Sequence, residues 1–431
     1  MVYFGIAMTV LCLLGLSIAV YRGIPILIAS PICGILVLLA NGYPILEGMK
    51  TAYIGEAASY FQQWFLFFLL GAILGVVMET SGAATSIALA ITNRFGARFA
   101  IPAVILATFI LMMGGISGFV IVFTLYPFTV ELFRQADIPR KYMLATIATC
   151  NSGFGMWFPG SPQSMNVLPM DYLGTSSTCG AVVTIICAVF FLALSLLYLN
   201  HVIKKDRARG MHFESRENLV ARAPEELPGI LRSILPLCTV FVCFALIGLD
   251  ILLALFLGLV VALVVLYKYI KGKVMECCKN GGEGATKSMV NMAMIVSVAG
   301  AFKVTDGFQL VVDGLCNLPF DPLISTAIAV NVVAGLTASS TGGQQVALPI
   351  IAQPFLDMGA DPVAMHKVCS ISSGVLDSMP HSGWMNTTVE VCRSTVRESY
   401  KPYAVICIGI AFLTTVLAIV LFMLFPGLAA Y

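Results

Sequence analysis

Two stretches hold most of the polar chemistry in an otherwise oily chain. Residues 150–174 read CNSGFGMWFPGSPQSMNVLPMDYLG, and residues 369–391 read CSISSGVLDSMPHSGWMNTTVEV. In each, a Ser-Gly pair (Ser152-Gly153, Ser373-Gly374) is followed six residues after the Gly by a proline (Pro159, Pro380). A Met-Asn pair comes next (Met165-Asn166, Met385-Asn386), one residue earlier in the second copy. Gly and Pro at this density interrupt a helix. A helix interrupted inside a membrane exposes unpaired N–H groups where its second half begins, and with the positive end of the dipole they suit an anion. GGISG (114–118) and TASSTGG (337–343) break two further apolar runs in the same way.

The four breaks supply the candidate substrate ligands Ser117, Gly118, Asn151, Ser152, Gly153, Gln163, Asn166, Ser339, Ser340, Thr341, Ser372, Ser373, Gly374 and Asn386. They offer hydroxyls, amides and backbone, but no Arg or Lys. A carboxylate held by neutral donors can be released again, whereas a phosphate or multiply charged anion calls for a guanidinium fork. The predicted ligand is a small monocarboxylate, with Gln163, Asn166 or Asn386 placed to read a hydroxyl on it. Trp157 and Trp384 flank the breaks, either lining the substrate's apolar side or packing there. Ionisable groups at membrane depth mark coupling sites. His381 and Asp377 lie in the second break, and Glu79 and Asp306 sit near the ends of corresponding spans; these four are the proton-coupling candidates. His201, His212 and His366 read as loop or helix-end residues.

The elements that must position these residues are membrane helices. The chain is 59% hydrophobic and 11% charged, with a mean hydropathy of +0.95, so lipid must cover most of its surface. Apolar runs recur near the length of about 20 residues that spans a bilayer. The first, residues 3–20, lacks a basic leader and reads as a retained helix rather than a signal peptide. A net charge of +2 argues against nucleic acid as a partner. Thirteen cysteines are scattered along the spans without zinc-like spacing, so neither a metal nor a disulfide is expected.

Spans are expected at 3–21, 24–42 and 63–79, the last carrying the closely packing pair Gly71 and Gly75, with 43–62 amphipathic at the interface. A re-entrant hairpin over 99–134 and a broken helix over 139–175 follow, then a whole span at 177–200. The basic loop 201–230 is cytoplasmic by the positive-inside rule, spans at 231–248 and 250–267 follow, and the lysine-rich loop 268–287 is cytoplasmic too. A second hairpin (321–358), a second broken helix (362–392) and a last span (402–426) complete the chain. Gly75, Thr80 and Gly82 match Gly300, Thr305 and Gly307 in spacing, Ser117 and Pro127 match Ser339 and Pro349, and Ala136-Asp137 matches Ala360-Asp361. The feet of the first hairpin are basic and those of the second acidic, so the two copies point opposite ways. The expected fold is all-α and polytopic: repeats over 1–200 and 231–431 in inverted topology, joined by 201–230. It has about ten full spans plus two hairpins, and both termini outside. Inverted repeats with paired broken helices are the architecture of secondary transporters.

GAILGVVMETSGAATSIALAITNRFG (71–96) and AGAFKVTDG (299–307) resemble corresponding segments of the gluconate:proton symporter (GntP) family of bacterial permeases. Within it, FPGSPQSMNVLPMDYLGT (158–175) and SSGVLDSMPHSGWMNTTVEVCRSTVRESY (372–400) are similar to the branch associated with D-3-hydroxybutyrate and other short acids. The gluconate branch has a histidine-proline-rich first break; here that place holds Gly160 and Ser161. The resemblance implies a carrier of the ion-transporter superfamily in the bacterial cytoplasmic (inner) membrane. It would import a small organic acid such as 3-hydroxybutyrate or gluconate with a proton, by an elevator-like movement. No cofactor is implied; a homodimer would suit such a carrier. The alternatives are a sodium-coupled di- or tricarboxylate transporter, a channel, and an intramembrane hydrolase using Ser373 and His381.

Overall fold

The computed structural model describes residues 2–430 apart from Gly23, 114–117, 217–226, 244–246, Gly248 and Asn317, and is all-helical among them. Ser117, one of the candidate ligands, lies outside the described residues. The helices are α1 (Val2–Tyr21), α2 (Ile26–Ala40), α3 (Ile54–Ser81), α4 (Ala83–Phe95), α5 (Ala100–Met113), α6 (Gly118–Gln135), α7 (Met143–Ala148), α8 (Ser164–Leu173) and α9 (Ala181–Arg207). After the linker come α10 (Ile230–Phe241), α11 (Ile251–Val265), α12 (Val274–Lys303), α13 (Asp306–Cys316), α14 (Pro322–Thr337), α15 (Ser340–Asp357), α16 (Pro362–Leu376), α17 (Gly383–Val391), α18 (Val396–Ala404) and α19 (Ala411–Leu424).

Five helical stretches among the described residues are long and apolar enough to cross a membrane: Tyr3–Val20, Trp64–Ser81, Ala181–Arg207, Val274–Lys303 and Val396–Leu424. Large apolar side chains stay exposed, Leu231 at 83% and Val264 at 70%, as lipid-facing positions should.

The element order repeats. Two apolar helices, a long helix, a short helix, a hairpin and a broken segment occur as α1–α8 and again as α10–α17. The long helices α3 and α12 lie against each other, with α2 and α11 on them. The hairpin arms α14 and α15 pack together, and α8 and α16 pack with both or either of them. The two groups join where α6 meets α3 and α4, and where α17 meets α12. A Cβ on Gly75 would lie 2.6 Å from the Phe123 carbonyl, so this glycine is what lets α3 approach α6.

Two boundaries differ from the sequence expectation. Residues 45–53 are not a separate interfacial piece, because a helical turn and a wide π turn (Met49–Tyr53) lead straight into α3. Tertiary pairing overrides the mixed polarity there: Glu56 accepts from Lys303 of α12 at 2.8 Å. Likewise α12 begins at Val274, so Lys279 and Lys287 ride on a helix rather than in a loop.

Caps set the starts of the second-half helices. Asp321 and Asp361 cap α14 and α16 through Leu323 and Ala364 N–H, each followed by proline in the first turn. Ser339 caps α15 by accepting from Gly342 N–H at 3.0 Å.

Candidate functional site

Each broken segment is closed by its own asparagine. The first runs from α7 through a π turn, Thr149–Phe154. Gly153 leaves helical geometry there at φ −114° and ψ −134°. A Cβ on Gly153 would come within 2.5 Å of the Phe191 ring, so any side chain here would have to displace that buried ring. The chain is then extended at Phe158 and Gln163 before α8 starts. Asn166 Nδ2 donates back to the Ser161 and Ser177 carbonyls, both at 2.9 Å. In the second segment, α16 stops at Leu376 and α17 starts at Gly383. Asn386 Nδ2 donates back to the Pro380 and Ser382 carbonyls, both at 2.8 Å. Matching residues therefore do the same job, satisfying carbonyls that the interruption would orphan.

The breaks are brought together. A Cβ on Gly374 would lie 3.5 Å from the Ser152 carbonyl oxygen and 3.3 Å from Met165 Cε, so the two segments touch. Ser164 and Thr341 meet hydroxyl to hydroxyl at 3.0 Å, linking the first segment to the second hairpin. Gln344 Nε2 donates to the Met165 carbonyl and to Ser373 Oγ, each at 3.1 Å. Asn151 Nδ2 donates to the Gly118 carbonyl at 3.1 Å, joining the first hairpin, and Gln163 Nε2 reaches the Met112 carbonyl at 2.9 Å. Ser372 and Ser373 also donate back into their own helix, to Cys369 and Ser370 carbonyls.

Two buried amide oxygens here have no partner among the described residues, Asn151 Oδ1 and Gln344 Oε1. Their amide nitrogens bond to carbonyls, which fixes which end is oxygen. Both orphans can accept from a hydroxyl or a protonated acid.

The N-terminus of α15, one of the predicted anion sites, faces a carboxylate of the protein itself. Asp377 lies beside Ser340 at the start of α15, and Ser378 Oγ donates to Asp377 Oδ1 at 3.0 Å. His381 is bound on both nitrogens. Nε2 donates to the Gly335 carbonyl at 2.9 Å, and Nδ1 lies 2.7 Å from Ser17 Oγ on α1. Glu79 is half-buried near the end of α3, and Asp306 is exposed at the start of α13.

Three residues were missed by sequence reasoning. Gln344 is the first. The others are Lys367 and His366, both fully buried near the start of α16, where His366 was read only as a loop or helix-end residue. Lys367 Nζ donates to Asn166 Oδ1 at 2.6 Å and to the Ser177 carbonyl at 3.3 Å. His366 Nε2 lies 3.2 Å from the same Asn166 oxygen, and Nδ1 lies 2.6 Å from Thr175 Oγ1. The usable signal was a lysine inside a mostly apolar segment, six residues past a helix-capping aspartate.

A cavity of about 780 Å³ opens at the far end of α17, reaching Asn386 and lined by Arg22, Lys287, Glu390, Arg393 and Arg397. Glu390 bridges it, taking Lys287 Nζ at 2.8 Å and Asn291 Nδ2 at 2.9 Å, both from α12.

Apolar helices interrupted in two corresponding places, with polar breaks meeting inside, define an integral membrane protein built to move a small solute. The chain belongs to the GntP family of permeases, whose family model matches residues 1–424. It is similar to the uncharacterised transporter YxjC of Bacillus subtilis, 29% identical over 453 residues that cover 94% of this chain and 96% of the relative. An uncharacterised transporter of Haemophilus influenzae is 27% identical over 344 residues, covering 77% and 78%. The family and both relatives are transporters rather than enzymes, which removes the intramembrane hydrolase.

Proposed function

We propose that this permease imports a short hydroxy- or unsubstituted monocarboxylate, such as 3-hydroxybutyrate or gluconate, by proton symport across a bacterial inner membrane. The observation that carries the reading is the junction of Ser152, Met165, Gln344, Ser373 and Gly374, where both broken segments and the second hairpin meet. Two orphan amide oxygens at this cluster favour a ligand that brings its own hydroxyl. No Arg or Lys lies within the four breaks, which favours a single carboxylate over a tricarboxylate.

The coupling group is Asp377. Ionised, its carboxylate occupies the α15 N-terminus beside Ser340. Taking up a proton removes its charge and frees those N–H groups for the substrate's carboxylate, so proton and anion bind together. His381 is a strut, since a neutral imidazole already satisfies Gly335 and Ser17. The basic cavity at Asn386 is the cytoplasmic mouth of an inward-facing state, in which arginines raise the local anion concentration. Sliding of the hairpins and broken segments past α3 and α12 moves the site to the other face.

Uptake of radiolabelled D-3-hydroxybutyrate into proteoliposomes tests this. An inside-alkaline pH gradient should drive accumulation. Stimulation by a sodium gradient alone would overturn proton coupling in favour of sodium.

A further inference from the structure

The four broken or re-entrant segments carry very few charges between their ends. Residues 100–130 and 322–356 contain no Asp, Glu, Lys or Arg, and residues 143–175 contain only Asp171, which is exposed. Within 362–392 there are Lys367, Asp377 and Glu390, and Glu390 stands part-exposed in the wall of the open basic cavity, against Lys287 of α12. Apart from the groups at the feet of these segments, where Glu131 pairs with Arg134 and where Arg140, Lys141, Asp321, Asp357 and Asp361 stand, that leaves one ammonium and one carboxylate, ten residues apart on a single segment and therefore roughly 15 Å apart along a helix.

Lys367 is fully buried, yet among the described residues no carboxylate lies within ion-pair distance of it. Its Nζ is met by Asn166 Oδ1 and the Ser177 carbonyl. Its other titratable neighbours are His366 and Cys179. His366 Nε2–H and Lys367 share the Asn166 oxygen, and His366 Nδ1 meets the Thr175 hydroxyl. Around Asp377 stand Ser340, Ser378, Tyr403, Cys407 and, four residues on, His381. None of these is a cation when His381 is neutral. A buried ammonium supplied only with neutral acceptors is costly to retain unless its charge is used.

We propose that Lys367 is the fixed counter-charge of the moving part of this carrier. It balances ionised Asp377 when the site is empty, and the substrate carboxylate when Asp377 holds the coupling proton. The moving part then carries the same charge on both limbs of the cycle, and one proton accompanies each monocarboxylate. The proton enters from the side of substrate entry as Asp377 carboxylate becomes carboxylic acid, and leaves on the other side as the carboxylate re-forms. Lys367 touches no substrate; it acts as a positioning charge. The inference rests on the proton-symport reading above.

The test uses the full-length protein in proteoliposomes with radiolabelled D-3-hydroxybutyrate, an imposed pH gradient, and a membrane potential set by valinomycin and potassium. Electroneutral symport predicts that wild-type accumulation follows the pH gradient and stays flat as the potential is varied. Movement of one net charge would instead change accumulation about fiftyfold per 100 mV. Lys367→Arg should retain pH-driven uptake, and Lys367→Met should lose both net uptake and substrate exchange by tenfold or more. Asp377→Asn should lose net uptake more than exchange. Wild-type uptake that responds to potential overturns the counter-charge whether or not the variants fold. So does a monodisperse Lys367→Met protein that exchanges substrate at the wild-type rate. Absence of any pH-driven uptake by wild type would overturn the symport reading itself, and the counter-charge with it.

Discussion

Gln344 donates from one amide nitrogen to both the Ser373 hydroxyl and the Met165 carbonyl, and its own oxygen is buried without a partner among the described residues. The residue thus holds the second hairpin against both broken segments while keeping one acceptor unused. In a closed site an acceptor left without a donor penalises any ligand that lacks one. Gln344→Met keeps the bulk and removes the acceptor. Preference for 3-hydroxybutyrate over butyrate, measured by competition for uptake, should fall by about 10-fold or more. Unchanged preference would show that the orphan oxygen does not read the substrate.

Gly374 tests the contact between halves. An added methyl would meet Met165 Cε at 3.3 Å and the Ser152 carbonyl at 3.5 Å. The methionine end can give way, so Gly374→Ala should bind substrate with a modest loss. Gly374→Leu must push the segments apart, and overpacking of this kind costs about 1–3 kcal/mol. Ligand-induced thermal stabilisation should then disappear. A leucine variant with wild-type stabilisation would place the ligand elsewhere.

Much of this site was legible because the breaks are local events. Ser-Gly, a following proline and a Met-Asn pair disturb a helix wherever they occur, and α7–α8 and α16–α17 are interrupted where those residues stand. What escaped depends on partners distant in sequence. Lys367 is matched to Asn166 across 201 residues, and Gln344 to Met165 across 179, so neither role leaves a local pattern. The amide nitrogens of Asn166 and Asn386, two of the residues placed by sequence to read a hydroxyl, donate to carbonyls of their own breaks. The polarity of residues 43–62 suggested an interface helix because the Lys303 that pairs Glu56 lies 247 residues away.

The Glu390 bridge should bias the carrier toward the state with the basic cavity open. Glu390 on α17 takes Lys287 and Asn291 from α12, the two helices that must part if the broken segment moves. Lys287 is well exposed, so the pair contributes about 0.5–1 kcal/mol at most. Glu390→Gln should therefore shift the population of states by roughly two- to fivefold. A fluorescent label near Arg397 in a cysteine-free background would report the shift as reduced solvent access to the cavity. No change would mean that apolar packing alone holds this state.

The linker offers a prediction in pH. Asp137 takes His212 Nδ1 at 2.7 Å and Phe213 N–H at 3.0 Å, fastening residues 210–216 to the turn after α6. These hydrogen bonds, the one from His212 first, hold the Asp137 carboxyl below its ordinary value because they favour the charged form. A depressed carboxylate contributes its full stabilisation above the unfolded value and loses it as pH falls through the depressed one. Both groups are exposed, so the effect is local rather than global. Amide exchange at Phe213, corrected for its intrinsic pH dependence, should be protected near neutral pH and lose protection below about pH 4, near the ordinary aspartate value. Asp137→Asn should lose most of that protection at every pH, because the asparagine keeps an acceptor but not the charge. Protection that persists in the variant would assign the fastening to Arg207, which donates to the Asp137 carbonyl from the end of α9.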